Sequence, residues 1–525
     1  MSTVDPHLYD QLNKGWKSTC KVLLGGEIGE LKEYEKWLKR YCPAPGKRTS
    51  HISGKEVTLA IDDYCKGANF ISLDEVSEGA LDPLTINEVK DIDSIVDAIS
   101  EKWEYTGNKI LGNSKFVDLS DNIIDSQYVL GSAHIQKSHN IYASNFVTAD
   151  SKYIFGGNWV TNCEFFVRST GMSSTRCFGA NFLEDCSDLY LCYMCMGCHD
   201  LLFCLNQKNK RNCIGNLQLP KDKYLDLKKK LIAEIRDELR QTKNFPSTFE
   251  LSELKEVKAD TKLSIVPEKT EEDMVPVEKA FTSTFKTLFK KDAKNILDYE
   301  DWLSGHFPKI KEVTSPFGYR VYDANWSLVT LYSEKRTVSR KEAEELGKRH
   351  LDESDIGSLE RIKERMPDIG YFTSEYLYGR SINSIKSPMV SNSSNIYKVA
   401  DANYSDYSGV DFTIIYSKHT FGSHRTIETQ FSMKCYNSLN LNRCFEMDSC
   451  TKCSDTYFSH NCEGLTDAMF CFNTKGKRCA IGNALLEPER YRKIKDMLVE
   501  QMAGDIVKNK SLKYNIYNIG CGRQK

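Results

Sequence analysis

From Ser120 to Cys204 the chain repeats every six residues, and this period constrains the fold more than any other feature. Ser120, Ser126, Ser132, Ser138 and Ser144 form one column, continued as Asp150, Gly156, Asn162, Arg168, Ser174, Ala180, Cys186, Cys192, Cys198 and Cys204. Three residues after each stands a second column: Ile123, Val129, Ile135, Ile141, Val147, Tyr153, Trp159, Phe165, Gly171, Cys177, Leu183, Leu189, Cys195 and Leu201. One column is small and the other mostly apolar. A period held this long marks a solenoid, in which each unit buries its face only against its neighbours.

Like residues stacked about 4.8 Å apart along a sheet would overfill a narrow lumen if both columns were bulky. Alternating Ser, Ala or Cys with Ile, Val or Leu fills it without strain. Buried serines can bond to turn carbonyls, and a buried cysteine behaves as a small hydrophobe. A strand has period two, so spacing by three implies corners between very short straight sides. The columns resemble the pentapeptide-repeat and hexapeptide-repeat β-solenoids. Here Ile123 is followed by Ile124 and Val129 by Leu130, where hexapeptide acyltransferases favour glycine. The resemblance implies a solenoid and carries no activity with it.

The expected fold class is α+β: a tandem module of helical and mixed cap, narrow parallel β-solenoid with six-residue repeats, and C-terminal helix. Residues 7–41 read as helical, broken at Gly25-Gly26, and 92–103 as a short amphipathic helix. Residues 1–118 form the first cap, 119–206 the first solenoid, 207–244 a capping helix and 245–277 a charged, proline-bearing linker that includes Pro267. A second cap spans 278–380, a second solenoid 381–473, and a helix and tail 474–525. The second set of columns runs from Ser387, Val390 and Ser393 through Ser438, Leu441, Cys444, Met447, Cys450 and Cys453 to Cys471. Tyr34-Glu35-Lys36-Trp37 returns as Tyr299-Glu300-Asp301-Trp302, Phe203-Cys204-Leu205-Asn206 as Phe470-Cys471-Phe472-Asn473, and Ile214-Gly215-Asn216 as Ile481-Gly482-Asn483. Matches in constant order and at nearly constant offset indicate an internal duplication.

A net charge of -2 and a pI near 6.6 argue against a generally basic nucleic-acid binder. No apolar run reaches the length of a membrane span, and the N-terminus lacks the pattern of a secretory signal. Nineteen cysteines in such a chain suggest reduced thiols or a metal site. The expected compartment is the cytoplasm, or a particle assembled there.

The sharpest chemical signal is Cys192-x2-Cys195-x2-Cys198-His199, with Cys204 nearby. By spacing alone it suits zinc or an iron–sulfur cluster. These cysteines also sit on the solenoid phase, where small residues belong, and that is the preferred reading. No catalytic residue and no other cofactor site are assigned. His134, His139, His199, His419, His424 and His460 read as exposed coil-edge residues. Asp121 and Asp125, with Tyr128 and Tyr142, are the only loose candidates for a solenoid enzyme acting on carbohydrate or acyl donors. Lys208, Lys210, Arg211, Lys228, Lys229 and Lys230 offer a nucleic-acid or ribosome contact, or a solvated helix face. The leading expectation is a non-enzymatic scaffold that forms homo-oligomers or joins other subunits of a large assembly such as a virion or sheath. A solenoid enzyme and a cysteine-based metal or redox protein are the alternatives.

Overall fold

The computed structural model describes residues 4–76, 89–256, 263, 265, 272–324, 331–435, 438–439, 442–448 and 453–521. Leu441, Cys450 and Pro267 lie outside the described residues. The helices are joined by large sheets of stacked parallel strands.

The first solenoid alternates four-residue strands between a ten-stranded and a nine-stranded sheet, so two six-residue repeats make one coil. Its corners follow from backbone conformation. Phe116, Leu119, Asn122, Asp125, Tyr128, Gly131, His134, Lys137, Asn140, Ala143 and Phe146 all have φ between 48° and 61°. Every third residue is thus left-handed, and the residue after each corner turns inward. Ser126, Val129, Ser132, Ile135, Ser138 and Ile141 are all fully buried. Each coil therefore sends four residues into its lumen, alternately small and aliphatic.

The small column closes the backbone as well as the lumen. Ser132 Oγ donates to Leu130 O at 3.0 Å and accepts from Ser144 N, one coil on, at 3.1 Å. Ser126 does the same with Ile124 O and Ser138 N. Each hydroxyl thus gives a buried amide its acceptor at a corner, and adds a second donor to a carbonyl that already accepts from a backbone amide of the next coil.

The six-residue columns need correction in their middle. Cα partners along the ten-stranded sheet run Lys115, Gln127, His139, Lys152, Glu164, Thr175, Ser187, His199 and Arg211. Lys152 comes one residue late and Thr175 one residue early. The extra residue sits where Ala149 and Asp150 are both left-handed. Between these points the lumen is filled by Ser151, Ile154, Gly157, Val160, Cys163, Phe166 and Ser169. Asp150 and Asn162 are exposed, and Arg168 packs on the outside of the coil between the rings of Trp37 and Tyr41. The later deletion restores the phase, so a strict period fitted both flanks and misassigned the centre.

In the second solenoid Tyr376 pairs with Met389, a thirteen-residue step, and from Ile382 the step is twelve, with Ser394, Asp406, Lys418, Gln430, Asn442, Ser454, Thr466 and Arg478 as successive partners. A helix lies along each solenoid. Pro6–Leu24 sets Trp16 against Phe155, and Tyr190 donates to Leu23 O at 2.9 Å. Val275–Phe289 sets Phe281 against Phe421, and Tyr457 donates to Leu288 O at 2.9 Å. Two further helices, Lys221–Thr242 and Pro488–Asn509, end on the left-handed Lys243 and Lys510. Lys243 Nζ donates to the Tyr34 hydroxyl and Lys510 Nζ to that of Tyr299, both at 3.3 Å. The stretch 245–277 is not plain linker: Thr248–Ser252 is helical, with Phe249 and Leu251 buried.

The solenoids lie side by side and run in opposite directions. Late in the first, Glu184 accepts from Tyr376, which begins the second. Midway, Arg425 stacks 4.4 Å from the Phe146 ring. Near the start of the first, Thr106 N donates to His460, late in the second, at 2.9 Å. Each cap consequently covers the C-terminal end of the other half's solenoid while leading into its own. Asn206 Nδ2 donates to Tyr371 O at 3.0 Å, and Asn473 Nδ2 donates to Glu104 O at 3.1 Å. Trp103 packs on Phe472, and Phe372 on Tyr193. A disulfide joins Cys65 of the first cap to Cys521 of the tail, whereas the sequence suggests reduced thiols.

Candidate functional site

The two ends of each solenoid differ. At the C-terminal end an antiparallel strand covers the last coil, pairing Cys213 with Gln218 in the first and Ala480 with Leu485 in the second. Among the described residues the first coils have no such cover. Ile110–Leu111 and Lys115–Asp118 each pair on one side only, as do Tyr376–Tyr378 and Ile382–Ile385. None of residues 110–118 is buried, and none of 376–384. Ile110, Phe116, Leu377, Tyr378 and Ile382 are exposed apolar side chains on these edges, Ile382 at 69%. A sheet edge with apolar side chains and unpaired backbone groups is a template for another strand.

Beside the second open coil lies a cleft of about 290 Å³. In-register stacking puts Glu184, Met196 and Lys208 in one column along its first wall. Tyr376, Leu377 and Tyr378 form the facing wall, and Arg340, Ala343 and Glu344 of the Arg340–Leu346 helix also line it. The Tyr376 hydroxyl donates to Glu184 Oε2 at 2.7 Å, and the rings of Tyr376 and Tyr378 stack 6° from parallel. Burial, and then the Glu184 carboxylate, push the Tyr376 phenol above its ordinary range. Glu375 accepts from the backbone amides of Tyr322 and Arg340, both at 2.9 Å. Burial raises its carboxyl against the lowering effect of those bonds. Arg340 Nη1 donates to Glu344 at 2.9 Å. Asn206 also lines the cleft, and its Oδ1, shielded from solvent, has no partner among the described residues.

Apart from Lys208, the residues singled out by sequence lie elsewhere. Cys192, Cys195, Cys198 and Cys204 are fully buried in the first lumen, and burial is the first cause raising the thiols of Cys192, Cys195 and Cys204. For Cys198 the bond with Cys195 comes first and burial second. Cys198 Sγ donates to Met196 O and accepts from Lys210 N at 3.4 Å, the pattern of the serines before it. His199 faces outward, its Nδ1 2.8 Å from Ser187 Oγ. Among the described residues no group of three or more His, Cys, Asp or Glu is placed to hold a metal.

Asp121 is fully buried in an ion pair with Lys109 at 2.8 Å, and Asp125 accepts from Asn113 N at 2.9 Å. Tyr142 is buried, and Tyr128 stacks on Phe116, so these four form no convergent centre. Lys208 lines the cleft. Lys210, Arg211 and Lys229 are exposed, while Lys228 pairs with Asp200 and Lys230 donates to Gly357 O. The six cations are thus spread over several surroundings.

His134 and His460 are buried, contrary to the expectation of exposed edges. His460 Nε2 accepts from Thr106 N, which leaves Nδ1–H to donate to Asp448 at 2.6 Å. One ring nitrogen holds the cap and the other is bonded within the second solenoid. Sequence reasoning missed the cleft residues, because its two walls come from different halves of the chain. The one available signal was the end of the column pattern after Cys204.

The chain matches no protein-family model, no curated protein and no solved structure. Among the described residues no helix is long and apolar enough to cross a membrane.

Proposed function

We propose that the protein is a structural scaffold that self-associates through the open first coils of its two solenoids. The observation carrying this reading is the contrast between covered C-terminal ends and exposed N-terminal coils with apolar edge residues. Because the solenoids run in opposite directions, the two open coils point opposite ways. One copy then presents an edge at each end, and edge-to-edge pairing of copies builds a linear assembly rather than a closed dimer.

The halves supply equivalent edges because, on this reading, they arose by internal duplication. Pairs such as Asn206–Tyr371 and Asn473–Glu104, or Tyr190–Leu23 and Tyr457–Leu288, make the same bond in both halves. A second copy is the occupant that fits best, since its first coil has the same strand length, twist and apolar side chains.

Sedimentation velocity over a concentration series tests this. The wild type is expected to form species larger than the 60.0 kDa chain as concentration rises. Ile110→Lys combined with Leu377→Lys and Ile382→Lys, all on exposed edges, is expected to return it to monomer with its melting temperature unchanged. A wild type that stays monomeric at every concentration would overturn the reading.

A further inference from the structure

We infer that the Cys65–Cys521 disulfide is a reversible clasp, through which a small thiol of the glutathione class controls closure of the C-terminal strap. The inference is independent of self-association. The strap follows the Pro488–Asn509 helix and seats Leu512, Tyr514, Ile516, Tyr517 and Ile519 as buried residues. It bridges the two halves. The Tyr105 hydroxyl of the first cap donates to Ile516 O at 2.8 Å and accepts from Gly520 N at 3.1 Å. Ile516 N donates at 2.8 Å to Glu446 of the second solenoid, which pairs with Lys434, neither side chain more than 2% exposed. The closed strap thus keeps water from a buried ion pair and from the fully buried Tyr105.

Thiol exchange is confined to this bond by exposure. Cys65 and Cys521 are both half-buried, whereas fifteen other described cysteines are buried free thiols and Cys479 is a half-buried one. Burial pushes the Cys163 and Cys186 thiols up to about 12, so the lumen supplies almost no thiolate. The strap also presents Cys521 on a turn closed by its own bonds. Tyr517 N donates to Asn515 Oδ1 and Cys521 N to Asn518 O, both at 3.0 Å, while Cys65 N donates to Tyr517 O. Those bonds survive reduction, so the two thiols stay neighbours and can rejoin. In opening, a small thiolate attacks one sulfur and forms a mixed disulfide, and the other cysteine leaves as a thiolate and takes a proton. A second small thiol then displaces the first. The protein gains two thiols, and the small thiols depart as one disulfide carrying the two electrons' worth of oxidation. Closing is the reverse. The bond joins residues 456 apart in sequence, so cutting it frees the chain end, and local opening of the strap becomes more frequent.

Hydrogen exchange of the full chain, read by mass spectrometry with and without dithiothreitol, tests the clasp. Reduction is expected to speed exchange of residues 512–520 by about tenfold or more and to leave the solenoid strands unchanged. Removing the reductant and adding oxidised glutathione is expected to restore both the slow exchange and the Cys65–Cys521 linkage. Cys521→Ser is expected to exchange fast from the start and not to respond to dithiothreitol, and Cys65→Ser to behave alike. In glutathione buffers of graded reduced-to-oxidised ratio, the folded wild type is expected to pass from bonded to free while its lumen thiols resist alkylation. Strap exchange that reduction leaves unchanged, exchange that rises over the whole chain, or a bond that millimolar glutathione leaves intact in the folded protein would overturn the inference.

Discussion

Inside the first lumen, Cys198 holds the backbone as Ser132 does, donating to the carbonyl two residues back and accepting from an amide one coil on. Cys198→Ser is therefore expected to cost about 1 kcal/mol or less, since volume and both bonds are kept. Cys198→Ala strands the Lys210 amide and is expected to cost about 1 kcal/mol. Cys198→Leu overfills the lumen, at about 1–3 kcal/mol. In the neighbouring column Ile135→Ala leaves a cavity and is expected to cost about 2–5 kcal/mol. Thermal melts rank the four; a metal ligand would instead make the serine and alanine variants equally severe.

Asp411 is the acid of the second lumen, 1% exposed, and burial pushes its carboxyl up to about 8. In the unfolded chain it titrates near 3.9. Between these values the folded chain keeps a proton that the unfolded chain releases. The stability this group contributes is complete below about pH 4 and is lost as the pH rises toward 8. Asp411→Asn keeps an acceptor for Ser423 N, now at 2.7 Å, and removes the titration. The variant is expected to gain on the wild type from pH 5 to pH 8 in melting temperature. Parallel curves would contradict a buried, protonated acid.

At the scale of the strand and corner, the lumen columns were legible because small and aliphatic residues alternate there without exception from Ser120 to Val147. The corners were not. Their left-handed positions hold Phe, Leu, Lys, Tyr and Ala as well as Asn and Gly, so no residue type marks them. The thirteen-residue coil at Ala149-Asp150 was hidden for the same reason. Tyr153, Trp159 and Phe165 are as apolar as the Ile154, Val160 and Phe166 that fill the lumen. A left-handed L-residue costs about 1–2 kcal/mol. Lys137, exposed at a corner with φ 48°, offers a direct measurement. Lys137→Gly is expected to stabilise by about 1 kcal/mol, and Lys137→Val to destabilise by about 1–2 kcal/mol. Denaturant melts in which the two variants behave alike would contradict the corner assignment.

Over the whole molecule, each half is closed by the other. The matching segments could be read from the sequence, since Tyr34 with Trp37 and Tyr299 with Trp302 recur in order. Their exchange could not, because a cap leading into one solenoid gives no sign in its own sequence of also covering another. The partners that decide it are far apart in the chain: Thr106 with His460 and Asn473, Tyr105 with Ile516, and Asn206 with Tyr371. Arg168 shows the same limit on a smaller scale. The six-residue period places it in the small column, yet it lies outside the coil, 8% exposed, stacked between Trp37 and Tyr41, and bonded to Phe245 O.

The exchange of caps is tested most directly by mapping the disulfide between Cys65 and Cys521. Cys65 belongs to the first cap and Cys521 to the tail beyond the second solenoid, with Cα atoms 6.4 Å apart. Folded protein, mildly oxidised, alkylated and digested without reductant, is expected to yield a peptide linking Cys65 to Cys521. Recovery of both cysteines singly alkylated, or of Cys65 joined to a different cysteine, would contradict a first cap seated on the second half.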